Sequence, residues 1–325
     1  MMTGQTLPSG AERAAGMASA PAATRPSPTV SVVMAAYNVE KYAAEAVESI
    51  LGQTYRDFEF LIVDDGSTDG TLAILRRFAE RDPRIRLWTR ENRGVPASSN
   101  ELIDLAQGEF IARMDCDDVA LPERLECQVK FLREHPECVA VGSQALLVDP
   151  EGDPLCVWFS NQTHEEIEAG LVSGGRGDYM CHPVSMIRRQ ALIDVGKYDL
   201  RYAVASDRDV FLRLAERGRL ANLPRVLLKY RANVGSISHR AERKQIELVG
   251  KMVNEARRRR NLGDIEPPAA TEAMDPAIPI ERKWAWWALA SGHIGTARKH
   301  AWRVLRKQPL SPETYRLLYC ALRGR

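Results

Sequence analysis

Short apolar runs alternate with helical hydrophobic periods along the first half of the chain. Runs of Val, Ile, Leu, Met and Ala predict buried strands over residues 29–38, 58–65, 84–92 and 109–118. Apolar residues at helical spacing predict a helix after each strand, beginning near residues 43, 71, 96 and 122. This alternation predicts an α/β fold with a mostly parallel sheet covered by helices.

Polar residues follow each predicted strand. The strand ends read Tyr37-Asn38, Asp64-Asp65, Glu91-Asn92 and Asp115-Cys116-Asp117-Asp118. Because ligands of such sheets bind outside the carboxyl ends of the strands, the pattern directs five aspartates towards one crevice.

Carboxylates crowded at a strand end repel one another unless a cation or protons neutralise them. Mg²⁺ or Mn²⁺ bridging one or two carboxylates to a diphosphate resolves this repulsion. Asp115, Asp117 and Asp118 are therefore metal candidates, although an isolated DxDD is also typical of a loop cap or turn. Neither GxxxxGK[ST] nor GxGxxG occurs at the first turn, which reads AAYNVEKY.

Four segments in order, VSVVMAAYN, VDDGSTDGT, NRGVPASSN and GEFIARMDCDD, resemble the nucleotide-diphospho-sugar half of glycosyltransferase family 2. The resemblance extends over roughly residues 30 to 240 and implies the GT-A fold, here followed by a C-terminal helical appendage. It implies a donor site, in which Ala35 and Tyr37 line the nucleoside pocket, Asp64 contributes to donor binding and Asp65 accepts a hydrogen bond from the base. It also implies a Mn²⁺ or Mg²⁺ site, in which Asp117 ligates the metal and Asp115 lies near the ribose and the metal.

Two of these residues have alternative interpretations. Tyr37 stacks on a base or packs in the core. Asp64 binds the donor or caps a loop.

The segments CHPVSMIRRQAL, GKYDLRY and ASDRDVFLRL resemble the acceptor side of the family. The family usually has Glu-Asp at the helix start that supplies the catalytic base, whereas this chain has Ser206-Asp207. The resemblance implies Asp207 as the base, with Asp209 as the competing assignment and helix capping as the non-catalytic alternative for Asp207. His182 is expected on the acceptor or diphosphate side.

Two further segments leave alternatives open. Asn233 stands where the family often has histidine, and His239 either substitutes for it or is solvated. The Gly-rich stretch 174–177 is either a mobile loop that orders over the donor or a passive surface loop.

Composition divides the chain into an acidic front and a basic rear. The 325 residues carry 45 Lys and Arg against 43 Asp and Glu, so the total charge of +2 gives no reason to expect a nucleic-acid partner. From His239 onward there are 18 basic and 9 acidic residues. We predict a flexible tail over 1–28, a catalytic domain over 29–240 (nucleotide and metal half 29–120, acceptor half 121–240) and a basic helical region over 241–325.

The basic rear has two interpretations. The plain one is a helical appendage, and the sharper one is a peripheral membrane surface, since Trp with Lys and Arg suits the headgroup zone. Six cysteines without metal spacing and the lack of a run of about 20 apolar residues predict a cytoplasmic protein, peripheral at most at the inner face of the plasma membrane.

The resemblance to glycosyltransferase family 2, with the candidate carboxylates, implies a metal-dependent inverting transferase. It would move one sugar from a nucleotide-diphosphate sugar to a hydroxyl of a glycan or lipid-linked acceptor, in bacterial cell-surface polysaccharide or glycoconjugate synthesis. The absence of QxxRW favours single-sugar transfer over polymerisation. The alternatives are a sugar nucleotidyltransferase, which normally has a Gly-rich first turn, and a non-catalytic nucleotide-sugar or glycan-binding module.

Overall fold

The first half of the chain forms the predicted alternation of strands and helices. The computed structural model describes residues 27–159, 161–174, 179–202, 205–232, 242–266 and 278–324. In chain order the elements are β1 (Val30–Ala36), α1 (Ala43–Leu51), β2 (Phe58–Asp64), α2 (Thr71–Arg81), β3 (Ile85–Thr89), α3 (Val95–Leu105), β4 (Phe110–Asp115), β5 (Val119–Ala120) and α4 (Arg124–Glu134).

The second half mixes longer strands with helices. Its elements are β6 (Cys138–Val148), β7 (Pro154–Trp158), α5 (His164–Val172), β8 (Met186–Arg188), α6 (Arg189–Asp194), α7 (Ser206–Ala215), β9 (Arg219–Arg231), α8 (Glu242–Arg259), α9 (Ile280–Ala290), α10 (Ile294–Lys307) and α11 (Pro312–Arg323).

A single sheet joins the two halves in the order β3-β2-β1-β4-β8-β6-β9-β5, with β7 on β6. The four strands β3, β2, β1 and β4 are parallel, which confirms the predicted α/β class. Strand β8 is antiparallel to both β4 and β6, and β6 and β9 are parallel to each other. The carboxyl ends of β1, β2 and β4 therefore meet at one edge.

Helices cover both faces of this sheet, which explains why its strands are apolar throughout. Side chains alternate between the two faces of a strand. Val32 and Met34 pack in the cluster that contains α1, whereas Val33 packs in the cluster that contains α3. Met252 and Val253 of α8 belong to the second cluster, so α8 packs on α5 and α7 of the catalytic half although it follows the predicted boundary at residue 240. That domain division stays a prediction.

The helices α9–α11, named here the C-terminal helical unit (residues 280–323), pack on β6 and β7. Leu147 and Leu155 of the strands share a buried cluster with Trp284, Ala301 and Leu317 of the unit. Burying large apolar side chains of this kind contributes roughly 1.5–3 kcal/mol each. Among the described residues, no helix has the length and apolar character needed to cross a bilayer.

A buried carboxylate reinforces this contact. Asp149, in the turn between β6 and β7, accepts hydrogen bonds from the backbone N–H groups of Glu151 and Asp153 at 3.0 and 2.9 Å. Its other oxygen lies 2.8 Å from His300 Nε2, and Lys299 forms an ion pair with it. Burial alone would raise the pKa of Asp149, but the hydrogen bonds from His300 and Lys299 hold it well below the usual range.

Asp149→Ala is expected to lower the free energy of unfolding by about 3–5 kcal/mol, because it leaves buried donors without a partner. A carboxylate with a depressed pKa stabilises the fold above about pH 4, and this contribution is lost as the pH falls further. Urea unfolding of wild type and variant should therefore show a gap that narrows in acid. Asp194→Ala, at an exposed helix end, is the control, and equal losses in both variants would contradict the assignment.

Candidate active site

The strand register brings three of the predicted site residues together. Ala35 of β1 pairs with Val63 of β2 on one side and with Asp115 of β4 on the other. Ala36 pairs with Asp64. Tyr37 follows directly and is 49% exposed, so it does not pack in the core. The structure thus places an aromatic ring and two carboxylates at one sheet edge.

The turn after β1 is tied to the loop after β2. Asn38 has a left-handed backbone with φ 50°, and its side-chain oxygen accepts from the backbone N–H of Thr68 at 2.8 Å. Gly66 also has a positive φ, of 79°, and a Cβ there would lie 2.8 Å from the backbone nitrogen of Asn92. This close approach requires glycine and brings the loops after β1, β2 and β3 against one another.

Asp64 and Asp65 are both buried and hydrogen-bonded to protein. Asp64 accepts from the Thr89 hydroxyl of β3 at 2.8 Å, and its other oxygen accepts from the backbone N–H of Ser67 in the following loop at 3.4 Å. Asp65 accepts from the backbone N–H groups of Arg93 and Gly94, both at 2.9 Å, and forms an ion pair with Arg90. Asp65 therefore fixes the loop over residues 90–94, and the contacts of both aspartates with a donor stay predictions.

The DxDD motif after β4 contains carboxylates in three different environments. The Asp115 side chain is 39% exposed and lies 2.8 Å from Arg113 Nη2. Burial and the charge of Asp115 raise the pKa of Asp117 to about 6. Asp118 is buried, its Oδ1 accepts from the backbone N–H of Arg231 at 2.8 Å, and its Oδ2 has no partner among the described residues. Burial, then the charges of Asp117 and Asp115, raise the pKa of Asp118 well above its usual value.

This donor set fits a hard divalent cation. Asp115 and Asp117 present carboxylate oxygens whose mutual repulsion a cation would relieve. Across the described residues, no three or more His, Cys, Asp or Glu side chains are grouped as a metal site. The protein therefore offers at most a pair of carboxylates here, and Mg²⁺ or Mn²⁺ held by so few ligands completes its shell with phosphate oxygens and water.

Arg113 lies under this motif as a fully buried cation. It is two residues before Asp115 on β4, so the two side chains project from the same face of the strand. Its Nη1 lies 3.3 Å from the Ser99 hydroxyl, and its Nε has no partner among the described residues. Its ion pair with Asp115 fixes the position of the more exposed carboxylate of the motif.

Arg231, at the end of β9, holds the DxDD loop through a hydrogen bond to its backbone. Its side chain is 3% exposed, and its Nε donates to the backbone oxygen of Asp117 at 2.8 Å. The other guanidinium nitrogens reach Pro150 O at 3.2 Å and Glu45 Oε2 at 2.7 Å. Because Pro150 follows Asp149, Arg231 links the metal-candidate loop to the turn that holds the C-terminal helical unit.

Asp207 occupies the first turn of α7 without capping the helix. The cap position is Ala205, and no side chain caps this end, so the structure does not support the capping alternative for Asp207. Asp207 Oδ2 accepts from the Tyr179 hydroxyl at 3.2 Å. Burial raises the pKa of Asp207, against the opposing effects of Arg208 and Tyr179. A partly buried carboxylate with a raised pKa has the properties of a general base.

The competing candidate, Asp209, has a structural role. It is 6% exposed and forms an ion pair with Arg213, one helical turn along α7. Arg213 in turn donates to the backbone oxygens of Val195 and Lys197. Asp209 thus holds the segment before α7, and its carboxylate is already paired.

His182 lies beside Tyr198 between the two halves of the site. Its Nε2 is 2.7 Å from the Tyr198 hydroxyl. Burial, with a contribution from the charge of Arg113, holds the pKa of His182 well below its usual value, so its imidazole is neutral. Burial raises the pKa of Tyr198 to about 12, and the charges of Asp207 and Asp115 add to this. Both carboxylates therefore lie within electrostatic range of Tyr198.

Three predicted features lie outside the described residues. They are Asn233, His239 and most of the Gly-rich loop, residues 175–177.

Three residues of the site have no predicted role from sequence: Arg113, Tyr179 and Arg231. A period-2 argument could have found Arg113, since it is on the strand face of Asp115. Arg231 lies two residues before Asn233, where the family often has histidine, but its partners are more than 80 residues distant in sequence. No sequence pattern points to Tyr179, whose connection to the site is its hydrogen bond to Asp207.

Comparison with known proteins shows the class to which this fold and site belong. The model of the family described as Glycosyl transferase family 2 matches residues 31–196. EpsE of Bacillus subtilis is 36% identical over 219 residues, which is 66% of this chain and 77% of EpsE. The chain therefore belongs to glycosyltransferase family 2, and the protein is a glycosyltransferase.

Solved structures confirm the GT-A fold. Staphylococcus aureus TarS 1–349, in complex with UDP-GlcNAc, superposes with a TM-score of 0.60 at 18% identity, covering 91% of this chain and 89% of that one. The mannosyltransferase PcManGT from Pyrobaculum calidifontis, in complex with GDP-Man and Mn²⁺, gives a TM-score of 0.56 at 20% identity, covering 92% and 85%. At these identities the likeness concerns the fold.

Proposed function

We propose that this glycosyltransferase moves one sugar from a nucleoside-diphosphate sugar to a hydroxyl acceptor, with inversion at C1 and with Mn²⁺ or Mg²⁺ as cofactor. The observation that carries the proposal is the placement of two kinds of carboxylate. Asp115 and Asp117 are crowded at the sheet edge, and Asp207 lies apart from them at the start of α7.

The donor would bind across the carboxyl ends of β1, β2 and β4. Tyr37 would pack against the base, while Ala35 leaves room beside it and Asp64 and Asp65 order the adjoining loops. UDP-GlcNAc in TarS and GDP-Man in PcManGT support a nucleotide sugar as the donor class.

Asp117 and Asp115 would hold the divalent ion. When bound, the ion neutralises charge on the diphosphate leaving group. Arg113 keeps Asp115 in place and Arg231 keeps the backbone of Asp117 in place. The Mn²⁺ in the PcManGT complex supports this part of the proposal.

Asp207 would accept the proton of the acceptor hydroxyl. The freed oxygen forms a bond to C1 of the sugar, and the bond from C1 to the diphosphate oxygen breaks with its electron pair going to the leaving group. Attack from the face opposite the diphosphate inverts the configuration. His182, being neutral, would contact the acceptor or diphosphate side as a hydrogen-bonding group.

The acceptor is proposed to be a glycan or lipid-linked hydroxyl in the synthesis of a bacterial surface polysaccharide or glycoconjugate. The C-terminal helical unit supports this, since it is a basic element attached beside the site.

The test is turnover of a panel of UDP- and GDP-sugars with Mn²⁺, with the anomeric configuration of the product determined by NMR. We expect turnover of at least one donor, loss of activity after EDTA dialysis and recovery with added Mn²⁺. Full activity after EDTA dialysis would refute the metal, and a retained configuration would refute inversion. If the protein bound nucleotide sugars but transferred none of them, this result would favour the non-catalytic binding module.

Arg231→Gln is expected to raise the Mn²⁺ concentration needed for half-maximal activity by about 10- to 100-fold, as for residues that orient metal ligands. The reason is loss of the hydrogen bond to the Asp117 backbone. Arg225→Gln on the same strand is the matched control, since the partners of Arg225 within the described part of the chain are Cys127 of α4 and Glu123 at its start. An unchanged Mn²⁺ requirement in the folded Arg231 variant would contradict this role.

A further inference from the structure

The outer face of α11 carries large apolar and aromatic side chains that the fold leaves exposed. We propose that this face, with the turn before it, docks on the surface of an anionic lipid bilayer. The docking surface is defined by Leu310, Tyr315, Tyr319 and Leu322, with Arg316 and Arg323 beside them.

The helix that bears this surface is rigidly attached. Thr314, Leu317 and Ala321 of α11 are buried, and Leu317 and Ala321 pack in the cluster that includes Leu147 of the sheet. Arg298 of α10 donates to the backbone oxygen of Leu322 at 2.8 Å and fixes the end of α11. The opposite side of α11 therefore points away from the protein core in a defined orientation.

That opposite side is an exposed stripe at helical spacing. Tyr315, Tyr319 and Leu322 are 55, 58 and 50% exposed, and they occur at i, i+4 and i+7. Leu310 is 92% exposed in the preceding turn. The Tyr315 hydroxyl donates to the backbone oxygen of Pro309 at 2.7 Å, so this turn adjoins the stripe.

The positive charge of the C-terminal helical unit favours an anionic surface as the partner of the exposed stripe on α11. Residues 280–323 contain nine Lys and Arg but two Glu, so the unit keeps a positive excess although Lys299 and Arg303 pair with the turn after β6 and Arg316 lies 3.8 Å from Glu313. Arg323 donates to the Tyr319 hydroxyl, and its guanidinium lies 5.3 Å from the centroid of that ring. Tyrosine rings with arginine beside them suit the headgroup zone, where rings insert and guanidinium groups meet lipid phosphates.

A second copy of the chain fits this surface less well. Two copies meeting face to face through this surface would bring Arg316 and Arg323 of both chains into one interface, and like charges in an interface are unfavourable. An anionic bilayer presents the opposite charge, so the surface favours it.

The docking surface stands independently of the catalytic steps proposed above, since it rests on α11 alone. If the proposed lipid-linked acceptor is also correct, docking would bring the acceptor to the site, because the unit adjoins the Asp149–Arg231 link to the DxDD loop.

The experiment is co-flotation of the full-length protein with phosphatidylcholine vesicles, with or without about 30% phosphatidylglycerol. Binding to the phosphatidylglycerol vesicles is expected to exceed binding to phosphatidylcholine by roughly tenfold or more and to fall at about 0.5 M salt. The combined Tyr315→Ser, Tyr319→Ser and Leu322→Ser variant should lose binding, and Arg316→Gln with Arg323→Gln should lower it by roughly tenfold.

The matched control is Arg76→Gln with Arg77→Gln on exposed α2, which removes the same charge from the catalytic domain and should bind as wild type does. Circular dichroism melts check that every variant is folded. The proposal is overturned by a wild type that does not float, by equal losses in control and test variants, or by a dimer in sedimentation that the serine variant converts to monomer. These readouts need no turnover, so their failure is distinguishable from failure of the proposed chemistry.

Discussion

Asp117→Ala is expected to lower kcat/KM by on the order of 10³-fold or more, because several kcal/mol of charge stabilisation at the diphosphate would be lost with the metal. The variant should also lose the Mn²⁺-dependent thermal stabilisation that a nucleotide sugar gives the wild type. The measurements are initial rates at saturating Mn²⁺ and melting temperatures with and without ligand. Asp194→Ala, an exposed aspartate at the end of α6, should match wild type in both.

In the metal-free protein, replacing Asp117 should raise the stability of the fold instead of lowering it. The pKa of Asp117 is raised to about 6, so the folded state favours the protonated form. This contribution to stability is present below the unfolded pKa of about 3.9 and is lost as the pH rises through about 6. In EDTA, Asp117→Asn should therefore be no less stable than wild type at pH 8, and the stabilities of the two proteins should converge below about pH 4. A large loss of stability at pH 8 would show that Asp117 is a structural residue.

Asp207→Asn is expected to lower kcat by roughly 10²- to 10⁴-fold, the range that a general base contributes. Its donor affinity should change little, because Asp207 belongs to α7 and not to the strand ends that would hold the nucleotide. Since burial raises the pKa of Asp207, the acidic limb of the wild-type rate profile should lie above the usual aspartate range. Steady-state kinetics against pH and donor-binding titration measure these effects.

Asp209→Asn is the sharpest control for that experiment, since it changes a neighbouring carboxylate of the same helix. Loss of the ion pair with Arg213 should lower the melting temperature while kcat per folded enzyme changes little. If Asp209→Asn instead abolished turnover and Asp207→Asn did not, the assignment of the base would be reversed.

The predicted and observed folds agree where structure depends on local pattern. Strands β1, β2 and β4 have buried side chains on both faces, so their apolar runs can be recognised in the sequence. The position of β8 between β4 and β6 could not be predicted from the sequence. A three-residue strand has no detectable periodicity, and its antiparallel pairing depends on long-range contacts. The burial of α8 was missed for a related reason, since only a few apolar residues face the core in a helix rich in charge.

The site shows the same division. Sequence places Asp64, Asp65, Asp115 and Asp117 at strand ends, and the register brings those ends together. The sequence does not show that the Asp65 carboxylate is hydrogen-bonded to the backbone of the loop over residues 90–94. It also does not show that Arg231 of β9 donates to the backbone of the DxDD motif. Such contacts join segments over 25 residues apart, and hydrophobic patterning carries no information about them.

The link from α10 through Asp149 and Arg231 to Asp117 bears on how this protein can be shortened for experiments. The family match ends at residue 196, yet Asp207 and Arg231 follow it, and the partners of Asp149 are at 299 and 300. A fragment cut at residue 240 would expose Leu147 and Leu155 and leave a buried carboxylate unpaired beside the metal-candidate loop. The smallest unit suited to crystallisation or screening should therefore retain α11.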